Sequence, residues 1–491
     1  MPAMEFPGFS HIAILLASFV LWRIFSTRHL HPLASYPGPL FWSVSRVPYA
    51  AAYARGHLHL RIKDLHDQYG DVVRVAPDEL SFRNDQAWKD IHGHSRNFPK
   101  DMRFYHVSHN KAPSVVVAPD EIHSRQKKAI LRAFSEPALK SHETILRPFV
   151  DTLIQRLSEN AASKPNSYAD MTVWYNHVMF DFMALELFGE SLGCLESETN
   201  HSWVRMLFDS IKAWAVLSQS AYFPAFSWII YALALFFYRD ILRQRNKKYA
   251  SVSSKLSEQD SDPDRTTFSN YIRAKKDPKS TLSAQEVFSN HSFMMMAGSE
   301  TTATLLSGCT FFLLRSPGVH EKLSQEIRNS FTSSSEISFS SLEDKEYLRA
   351  VLQETLRMYP PLPLGMPRVV PTEGSIVSNK FVPGGTSVAV ASWATYQSAS
   401  NFTDAQSFLP ERWLDGDSKI LDIKDAMQPF SVGPRACPGK RLAFGEASLI
   451  LALLIWNFDL ELSKDCSNWA DQRAFLIWDK GPLWVRLTPR A

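Results

Sequence analysis

A short loop around Cys437 constrains the fold of this chain more than any other segment. Residues 429–439 read PFSVGPRACPG; the prolines fix φ, and the glycines permit a close approach of the backbone. Apolar residues at helical spacing follow from Leu442 to Ile455. Cys437 is therefore predicted to lie at the start of a helix, where backbone N–H groups and the helix dipole favour a thiolate over a thiol.

A thiolate in such a loop is suited to ligate a haem iron, because it donates electron density to the metal and promotes cleavage of the O–O bond. Gly433 and Gly439 would let the backbone approach a flat macrocycle closely. Arg435 would pair with a propionate, and Phe430 would shield the sulfur from water. The other three cysteines are scattered, with no CxxC or Cys/His pair, and are interpreted as small buried hydrophobes in a chain kept in a reducing compartment.

The pattern FxxGxRxCxG over residues 430–439 fixes five positions in ten, and this segment resembles the haem-binding loop of the cytochrome P450 superfamily. The resemblance extends from about Tyr36 to the C-terminus. It implies a mainly α fold with small β-sheets and a single large domain. It also implies haem b as cofactor, with Cys437 as the axial ligand of the iron, and monooxygenase activity. Residues 95–135 and 392–413 are most similar to fungal secondary-metabolite enzymes of the isotrichodermin 15-hydroxylase and pisatin demethylase type.

Two arginines and a glutamate precede the cysteine loop in the order that the resemblance requires. Glu354 and Arg357 are three residues apart in a predicted helix, so that they share a face and can form an ion pair. Arg412 follows in the segment PERW at 410–413. The resemblance implies that Glu354, Arg357 and Arg412 form a buried network on the thiolate side of the haem, with a role in folding and haem retention.

Residues 284–315 lack proline and are predicted to form one long central helix. Gly298 in its middle costs about 1 kcal/mol relative to alanine. This cost suggests that dioxygen or substrate needs the space. The segment AGSETT at 297–302 resembles the superfamily's oxygen-binding helix, and the resemblance implies that Glu300 and Thr301 deliver protons to dioxygen.

Three cations elsewhere are predicted to bind the haem propionates. His123 and Lys127 are four residues apart and share a helical face. They resemble the propionate-binding pair of the family, and Arg368 follows the Glu354 helix at the family's usual distance. Each of these side chains, taken alone, is also compatible with a solvated surface charge.

Two apolar stretches predict contact with a membrane. Residues 6–22 carry no charge, and Arg23 and Arg28 follow them. This pattern favours an uncleaved transmembrane anchor within residues 1–35, with residues 36–491 as the catalytic domain on the cytoplasmic side. The resemblance places that anchor in the endoplasmic reticulum membrane. Residues 213–238 also lack charge, and a hairpin dipping into lipid is preferred over a second span because both halves of the chain must form one site.

The net charge and the absence of cofactor-binding motifs indicate which partners to expect. A net charge of +3, from 53 basic and 50 acidic residues, gives no argument for nucleic acid. We find no dinucleotide fingerprint, flavin motif or iron–sulfur cysteine set, so that electrons are expected from a separate NADPH–cytochrome P450 reductase. Its predicted docking face is basic and consists of Arg125, Lys127, Lys128, Arg132, Lys440 and Arg441.

The expected reaction is insertion of one oxygen atom from O2 into a C–H bond of a bulky apolar substrate, such as a terpenoid or polyketide. Substrate contacts are expected, by analogy, in residues 98–118, 214–237, 294–297 and 361–366. Two alternatives stay open, a haem-thiolate isomerase or dehydratase that needs no O2, and a haem-binding protein without turnover. The pair Glu300 and Thr301 argues for the monooxygenase, because the other two have no need to protonate dioxygen.

Overall fold

The structure is a computed structural model that describes residues 9–105, 112–163, 166–198, 202–224, 227–229, 232–233, 236, 239–240, 243, 268–273, 281–414 and 421–490. Within these residues the chain is mainly helical with three small sheets, which confirms the predicted fold class. The helices are α1 (Phe9–His29), α2 (Leu40–Val44), α3 (Val47–Ala54), α4 (Leu58–Tyr69), α5 (Asp85–His92), α6 (Met102–Tyr105), α7 (Asp120–Ile130), α8 (Glu136–Ser163), α9 (Met171–Phe188), α10 (Cys194–Ser197), α11 (Ser202–Ser220), α12 (Phe268–Arg273), α13 (Ala284–Arg315), α14 (Pro317–Ser330), α15 (Phe339–Leu342), α16 (Glu346–Met358), α17 (Ser392–Tyr396) and α18 (Lys440–Asn457).

The strands are β1 (Val72–Ala76), β2 (Glu79–Phe82), β3 (Ala169–Asp170), β4 (Arg368–Val369), β5 (Ser375–Val377), β6 (Lys380–Val382), β7 (Ser387–Val390), β8 (Phe458–Leu462) and β9 (Trp484–Pro489). The largest sheet has the order β1-β2-β7-β4, with β2 and β7 parallel and the other two pairs antiparallel. A second, antiparallel sheet has the order β3-β9-β8, and β5 and β6 form a hairpin. Short 3-10 turns occur in several connections, two of them over residues 410–413 and 433–435.

The long helix α13 forms the centre of the molecule. It begins with a capping box, in which Ser283 and Glu286 satisfy each other's backbone N–H groups, and it ends before Pro317. It packs along α9 and also contacts α16 and α18. Most of its side chains are buried, which explains why it is apolar on nearly every face rather than amphipathic.

The N-terminal helix α1 carries large apolar side chains that are at least half exposed, namely Ile14, Leu15, Phe19, Val20, Leu21, Trp22 and Phe25. Among the residues that the structure describes, no helix combines the length and the apolarity needed to cross a bilayer. The predicted anchor within residues 1–35 is not confirmed by this finding. Much of the second apolar stretch lies outside the described residues, and in the part that is described Trp228, Leu233 and Phe236 are exposed.

Candidate active site

The Cys437 loop is held by its own backbone and by the start of α18. The backbone N–H of Cys437 donates to the Phe430 carbonyl at 2.8 Å, which closes the loop, and α18 begins three residues later at Lys440. The Cys437 side chain is accessible, yet burial raises the pKa of its thiol, while the backbone N–H of Gly439 and the Lys127 ammonium lower that pKa in part. Both observations fit a sulfur atom that borders a recess enclosed by protein.

The two glycines of this loop differ in what they make room for. Gly433 has φ of +76°, and a Cβ there would lie 1.9 Å from the His92 carbonyl oxygen. Close packing against the end of α5 therefore explains why residue 433 is a glycine. The sequence had instead suggested that this glycine allows a close approach of the backbone to the cofactor. A Cβ at Gly439 would lie at ordinary contact distance, 3.7 Å from the sulfur of Cys437 and 3.5 Å from Phe134.

Aromatic side chains cover the thiol loop on the side of α18. The rings of Phe430 and Phe444 lie 5.7 Å apart, and the Lys440 ammonium stands 5.9 Å from the Phe430 ring. Phe430 and Phe444 also pack on the main hydrophobic core. This position suits the predicted role of Phe430 in keeping water from the sulfur.

The four cations predicted to bind propionates come together beside this loop. Arg435 donates to the Ala118 carbonyl and to Asp120, at 2.8 and 2.6 Å, and Arg368 donates to the Phe98 carbonyl at 2.9 Å. Lys127 donates to the carbonyls of residues 434 and 436, which fixes α7 against the thiol loop. Burial, with Arg435 and Lys127 nearby, lowers the pKa of His123 to about 4.

Three further groups join the cluster, and sequence reasoning missed them. Lys100 pairs across a β-bridge with Arg368, and burial together with Arg368 and Arg435 holds the pKa of Lys100 well below its usual range. The Lys100 ammonium stands 4.4 Å from the ring of Tyr105. Burial lowers the pKa of His92 to about 3, with Arg368 and Lys100 contributing. No motif marks these residues; the pairing of residues 99–101 with β4 brings Lys100 here, while His92 and Tyr105 come from α5 and α6.

The cluster lacks enough negative charge of its own. Among the described residues, four of its buried polar atoms have no hydrogen-bond partner, namely Nη1 of Arg435, Nε of Arg368, Nδ1 of His92 and Oη of Tyr105. Asp120 is the acidic group that acts on most of its members, and it is half exposed. Without an anion, burial and mutual repulsion favour the loss of protons from His123, His92 and Lys100, whereas a bound anion would stabilise their charged forms. The two propionates of a haem are such anions, and the thiol of Cys437 lies beside the cluster, so that the residues present fit a haem.

The network of Glu354, Arg357 and Arg412 is present and fully buried. Oε1 of Glu354 accepts from Arg357 at 2.7 Å and from Arg412 at 3.1 Å, and Oε2 accepts from Nε of Arg357 and from the indole of Trp413. Arg357 also donates to three backbone carbonyls, at residues 396, 405 and 407. Arg412 forms a second ion pair with Asp422, which the sequence did not indicate. The network thus joins α16 to the segments that precede the thiol loop.

Helix α13 has one face that is less buried than the rest, although it lies in the middle of the fold. Phe293, Ala297 and Thr301, spaced four residues apart, are only partly buried. The Thr301 hydroxyl donates to the Ala297 carbonyl one turn earlier. Such a face within a core indicates an internal recess along the helix.

Gly298 does not leave space for dioxygen. A Cβ at this residue would lie 2.7 and 2.8 Å from the terminal atoms of Met183 on α9. The interpretation that Gly298 makes room for oxygen or substrate is therefore wrong, and close packing of α9 on α13 explains this glycine. Gly308 similarly packs against the ring of Tyr359.

Glu300, unlike Thr301, is buried and held by other side chains. Its Oε1 accepts from the Lys480 ammonium at 2.5 Å and from the Thr304 hydroxyl at 3.1 Å. Its Oε2 is buried without a hydrogen-bond partner in the described part of the chain. Burial raises the pKa of Glu300, and Lys480 opposes that rise.

A second buried acid, Glu446, connects α13 to α18. Its Oε2 accepts from the Thr302 hydroxyl at 2.9 Å. Burial raises its pKa to about 8, so that Glu446 is mostly protonated at neutral pH. This neutral bridge adjoins Thr301 but belongs to the packing of the two helices.

The predicted basic docking face is less basic than the sequence suggested. Arg125 pairs with Glu286, Lys127 points into the thiol loop, and Arg441 pairs with Glu136 at 2.8 Å and approaches Glu343 at 3.7 Å. A groove of about 700 Å³ opens beside Lys440 and Arg441, and its charged lining is mixed, with Glu136, Lys140, Glu143, Glu343, Asp344 and Arg349. A uniform positive patch is therefore the wrong description of this surface.

Two of the four predicted substrate segments, residues 98–118 and 214–237, meet through one cluster of charges and rings. The Tyr222 ring lies 3.5 Å from the Arg46 guanidinium and 4.6 Å from that of Arg103, and its hydroxyl donates to Asp101 at 3.2 Å. The ring of Trp214 on α11 packs edge-on against Phe104 at 4.8 Å. These contacts tie α11 to the 98–105 segment. Residues 106–111 and much of 225–237 lie outside the described residues.

A thiol at the start of a helix, a cluster of buried cations beside it and a long helix with a less buried face are features of haem-thiolate proteins. Comparison with known families agrees: the model of the family "Cytochrome P450" matches residues 32–483, and this chain belongs to that family. Similar proteins include the cytochrome P450 monooxygenase astA of Talaromyces wortmannii, with 41% identity over 94% of this chain and 93% of that protein. The cytochrome P450 monooxygenase astJ of Aspergillus oryzae is 38% identical over 96% and 95%, and an averantin hydroxylase of Dothistroma septosporum is 38% identical over 97% and 91%. The chain is accordingly a cytochrome P450 monooxygenase of the fungal secondary-metabolite type.

Proposed function

We propose that this enzyme inserts one oxygen atom from O2 into a C–H bond of a bulky apolar terpenoid or polyketide, with electrons from NADPH through a separate reductase. The observation that carries the proposal is the meeting of two features at Arg435. This residue belongs to the thiol loop, two positions before Cys437, and also to the buried cation cluster. A sulfur ligand and the counter-charges of two carboxylates thus border one site.

The proposed cofactor is haem b. Cys437 would ligate its iron, while Arg435, Arg368, His123, Lys127 and Lys100 would hold its propionates. The bound haem supplies the activation of dioxygen, and the protein orients the substrate and keeps water away. Phe430, whose carbonyl accepts the backbone N–H of Cys437 and whose ring packs against Phe444, would shield the sulfur from water.

Glu300 and Thr301 would deliver protons in this reaction. The Thr301 hydroxyl lies on the open face of α13, while the free Oε2 of Glu300 leaves room for one more hydrogen bond. A water molecule between the two side chains would connect them, since each offers a polar atom without a competing side-chain partner. The reacting oxygen would then receive protons without opening the recess to bulk water.

The electron donor would be a membrane-bound NADPH–cytochrome P450 reductase, docked on the surface around Lys440. Attachment of this chain to the endoplasmic reticulum membrane is supported by the exposed apolar side chains of α1 and by the basic residues Arg28 and His29 at its end. The exposed Trp228, Leu233 and Phe236 follow Tyr222, which contacts Arg46 near the N-terminal elements.

Labelled dioxygen tests the reaction class. Microsomes that contain this chain and a reductase should convert a member of a terpenoid and polyketide panel only with NADPH. The product should carry one labelled oxygen atom, detected by mass spectrometry. A product formed without NADPH and without label would show isomerase or dehydratase chemistry. Haem binding with neither product nor substrate-stimulated NADPH oxidation across the panel would favour a haem-binding protein without turnover.

Thr301→Ala should divert electrons from product to hydrogen peroxide, because the recess loses the hydroxyl that holds the proton-carrying water. We expect the yield of product per NADPH to fall about tenfold or more, at nearly unchanged NADPH consumption. Peroxide and product are quantified in the same reaction. Ser307→Ala on the same helix, whose buried hydroxyl donates only to the Ala303 carbonyl, is the matched control. An unchanged yield in Thr301→Ala would refute the role of this hydroxyl.

A further inference from the structure

Lys480 lies in a C-terminal segment that is anchored independently of α13. The neighbouring Trp478 is buried, stacks on Tyr359 with ring centroids 4.5 Å apart and donates to the Pro360 carbonyl. Asp479, on the other side of the segment, pairs with Arg473 at 2.8 Å and with Lys212 at 2.7 Å. The contacts of Trp478 and the Arg473–Asp479 pair suffice to fix the backbone, so that the next side chain, Lys480, is directed inwards and is only 2% exposed.

The ammonium of Lys480 satisfies one oxygen of Glu300 and leaves the other free. It donates to Oε1 of Glu300 and, at 2.7 Å, to the Thr304 hydroxyl, which itself donates to the same Oε1. Thr304 is one helical turn after Glu300, so that the lysine and the threonine hold the carboxylate from two sides. Oε2 receives no hydrogen bond within the described residues.

Burial acts on the two charges in opposite directions. It raises the pKa of Glu300 and lowers that of Lys480, and each partner counteracts the shift of the other. A carboxylate that loses its buried cation is left uncompensated and takes up a proton instead. A Glu300 without Lys480 would therefore be a neutral acid held only by Thr304 and unable to accept a proton from water.

We propose that Lys480 is a positioning residue for proton delivery: it fixes Glu300 through Oε1, so that the ionised Oε2 alone faces the water that also contacts Thr301. The proposal rests on the proposed function of Glu300 and Thr301, and extends it to a residue 180 positions away in the chain. Loss of an ion pair that merely ties α13 to the C-terminal segment would also protonate Glu300, but it would not lower the yield of product per NADPH.

The test compares Lys480→Met, Lys480→Arg and Glu300→Gln with the wild-type holoenzyme. The matched control is Lys212→Met, which removes a more exposed lysine from the partner Asp479 in the same segment. Infrared spectroscopy at neutral pH should show a new carbonyl band of a protonated acid in Lys480→Met, absent from Lys480→Met combined with Glu300→Gln. Glu446, with its pKa raised to about 8, should give such a band in every variant and serves as the reference.

Turnover gives the second readout. The yield of product per NADPH should fall about tenfold in Lys480→Met, which is typical for the loss of a group that orients a functional side chain. The yield should recover as the pH is raised, because Glu300 then ionises. Lys480→Arg should restore most of the yield, and Lys212→Met should leave it unchanged. An unchanged yield in Lys480→Met, with or without the new band, would overturn the proposal.

A separate spectrum distinguishes this proposal from the proposed function. All variants should keep the red-shifted carbon monoxide band of thiolate-ligated ferrous haem. Its absence from the wild type would overturn the proposed function itself. If Lys480→Met alone loses the band, Thr304→Val is measured instead: it removes the second contact to Oε1 and should lower the yield while the band persists. An unchanged yield and an unchanged infrared spectrum in Thr304→Val would likewise overturn the proposal that Lys480 and Thr304 position Glu300.

Discussion

Replacing Cys437 by serine should abolish monooxygenase activity and remove the red-shifted Soret band from the carbon monoxide difference spectrum of the reduced protein. A serine hydroxyl stays protonated at neutral pH and donates far less electron density to iron than a thiolate does. The cation cluster around Arg435 is untouched by this change, so that some haem should stay bound through its propionates. We therefore expect an unshifted band of reduced intensity rather than a complete loss of haem absorbance.

Cys194→Ala is the matched control for this substitution. Cys194 is fully buried in the hydrophobic core, as expected of a cysteine that serves only as a small apolar side chain. Its replacement should lower the stability and leave the position of the Soret band unchanged. A red-shifted band that persists in Cys437→Ser would mean that another group ligates the iron, and the assignment of this loop would be wrong.

The sequence predicted those parts of the site whose residues are close in the chain or lie in a fixed pattern. Cys437, Phe430 and Arg435 occupy a ten-residue motif, and the spacing of Glu354 and Arg357 on one helix already allowed their ion pair. The long helix α13 followed from the run of residues 284–315, which lacks proline. Local rules of spacing and of helix-breaking residues suffice for such features.

Contacts between segments that are distant in the chain could not be predicted from the sequence. Lys100 reaches the cation cluster through a β-bridge, and Lys480 reaches Glu300 across 180 residues. The sequence also showed the cost of Gly298 but not what fills the space beside it, which is Met183. Counting basic residues likewise overestimated the docking surface, because Arg125 and Arg441 are neutralised by glutamates from other elements.

Replacing Glu354 by alanine should destabilise the protein by about 3–5 kcal/mol, because two arginines then remain buried without their shared carboxylate. Glu354, Arg357 and Arg412 have no exposed side-chain surface, so that water cannot replace the lost contacts. The Trp413 indole and the Leu409 N–H lose their acceptor as well. Thermal unfolding should occur at a much lower temperature, and the fraction of protein that retains haem should drop sharply.

The role of this network in folding, rather than in chemistry, is tested by normalising the turnover to bound haem. Protein that still carries haem should oxidise substrate at close to the wild-type rate, since no atom of the network lies among the groups proposed to move protons. Glu159→Ala is the matched control, because it removes a half-exposed helical glutamate that pairs with Arg156, and such a pair contributes only about 0–1 kcal/mol. A Glu354→Ala protein with normal stability and haem content but slow turnover per haem would assign the network to catalysis instead. The buried geometry argues for the first result, because Glu354 connects α16 to the chain that leads into the thiol loop and so determines where Cys437 is held.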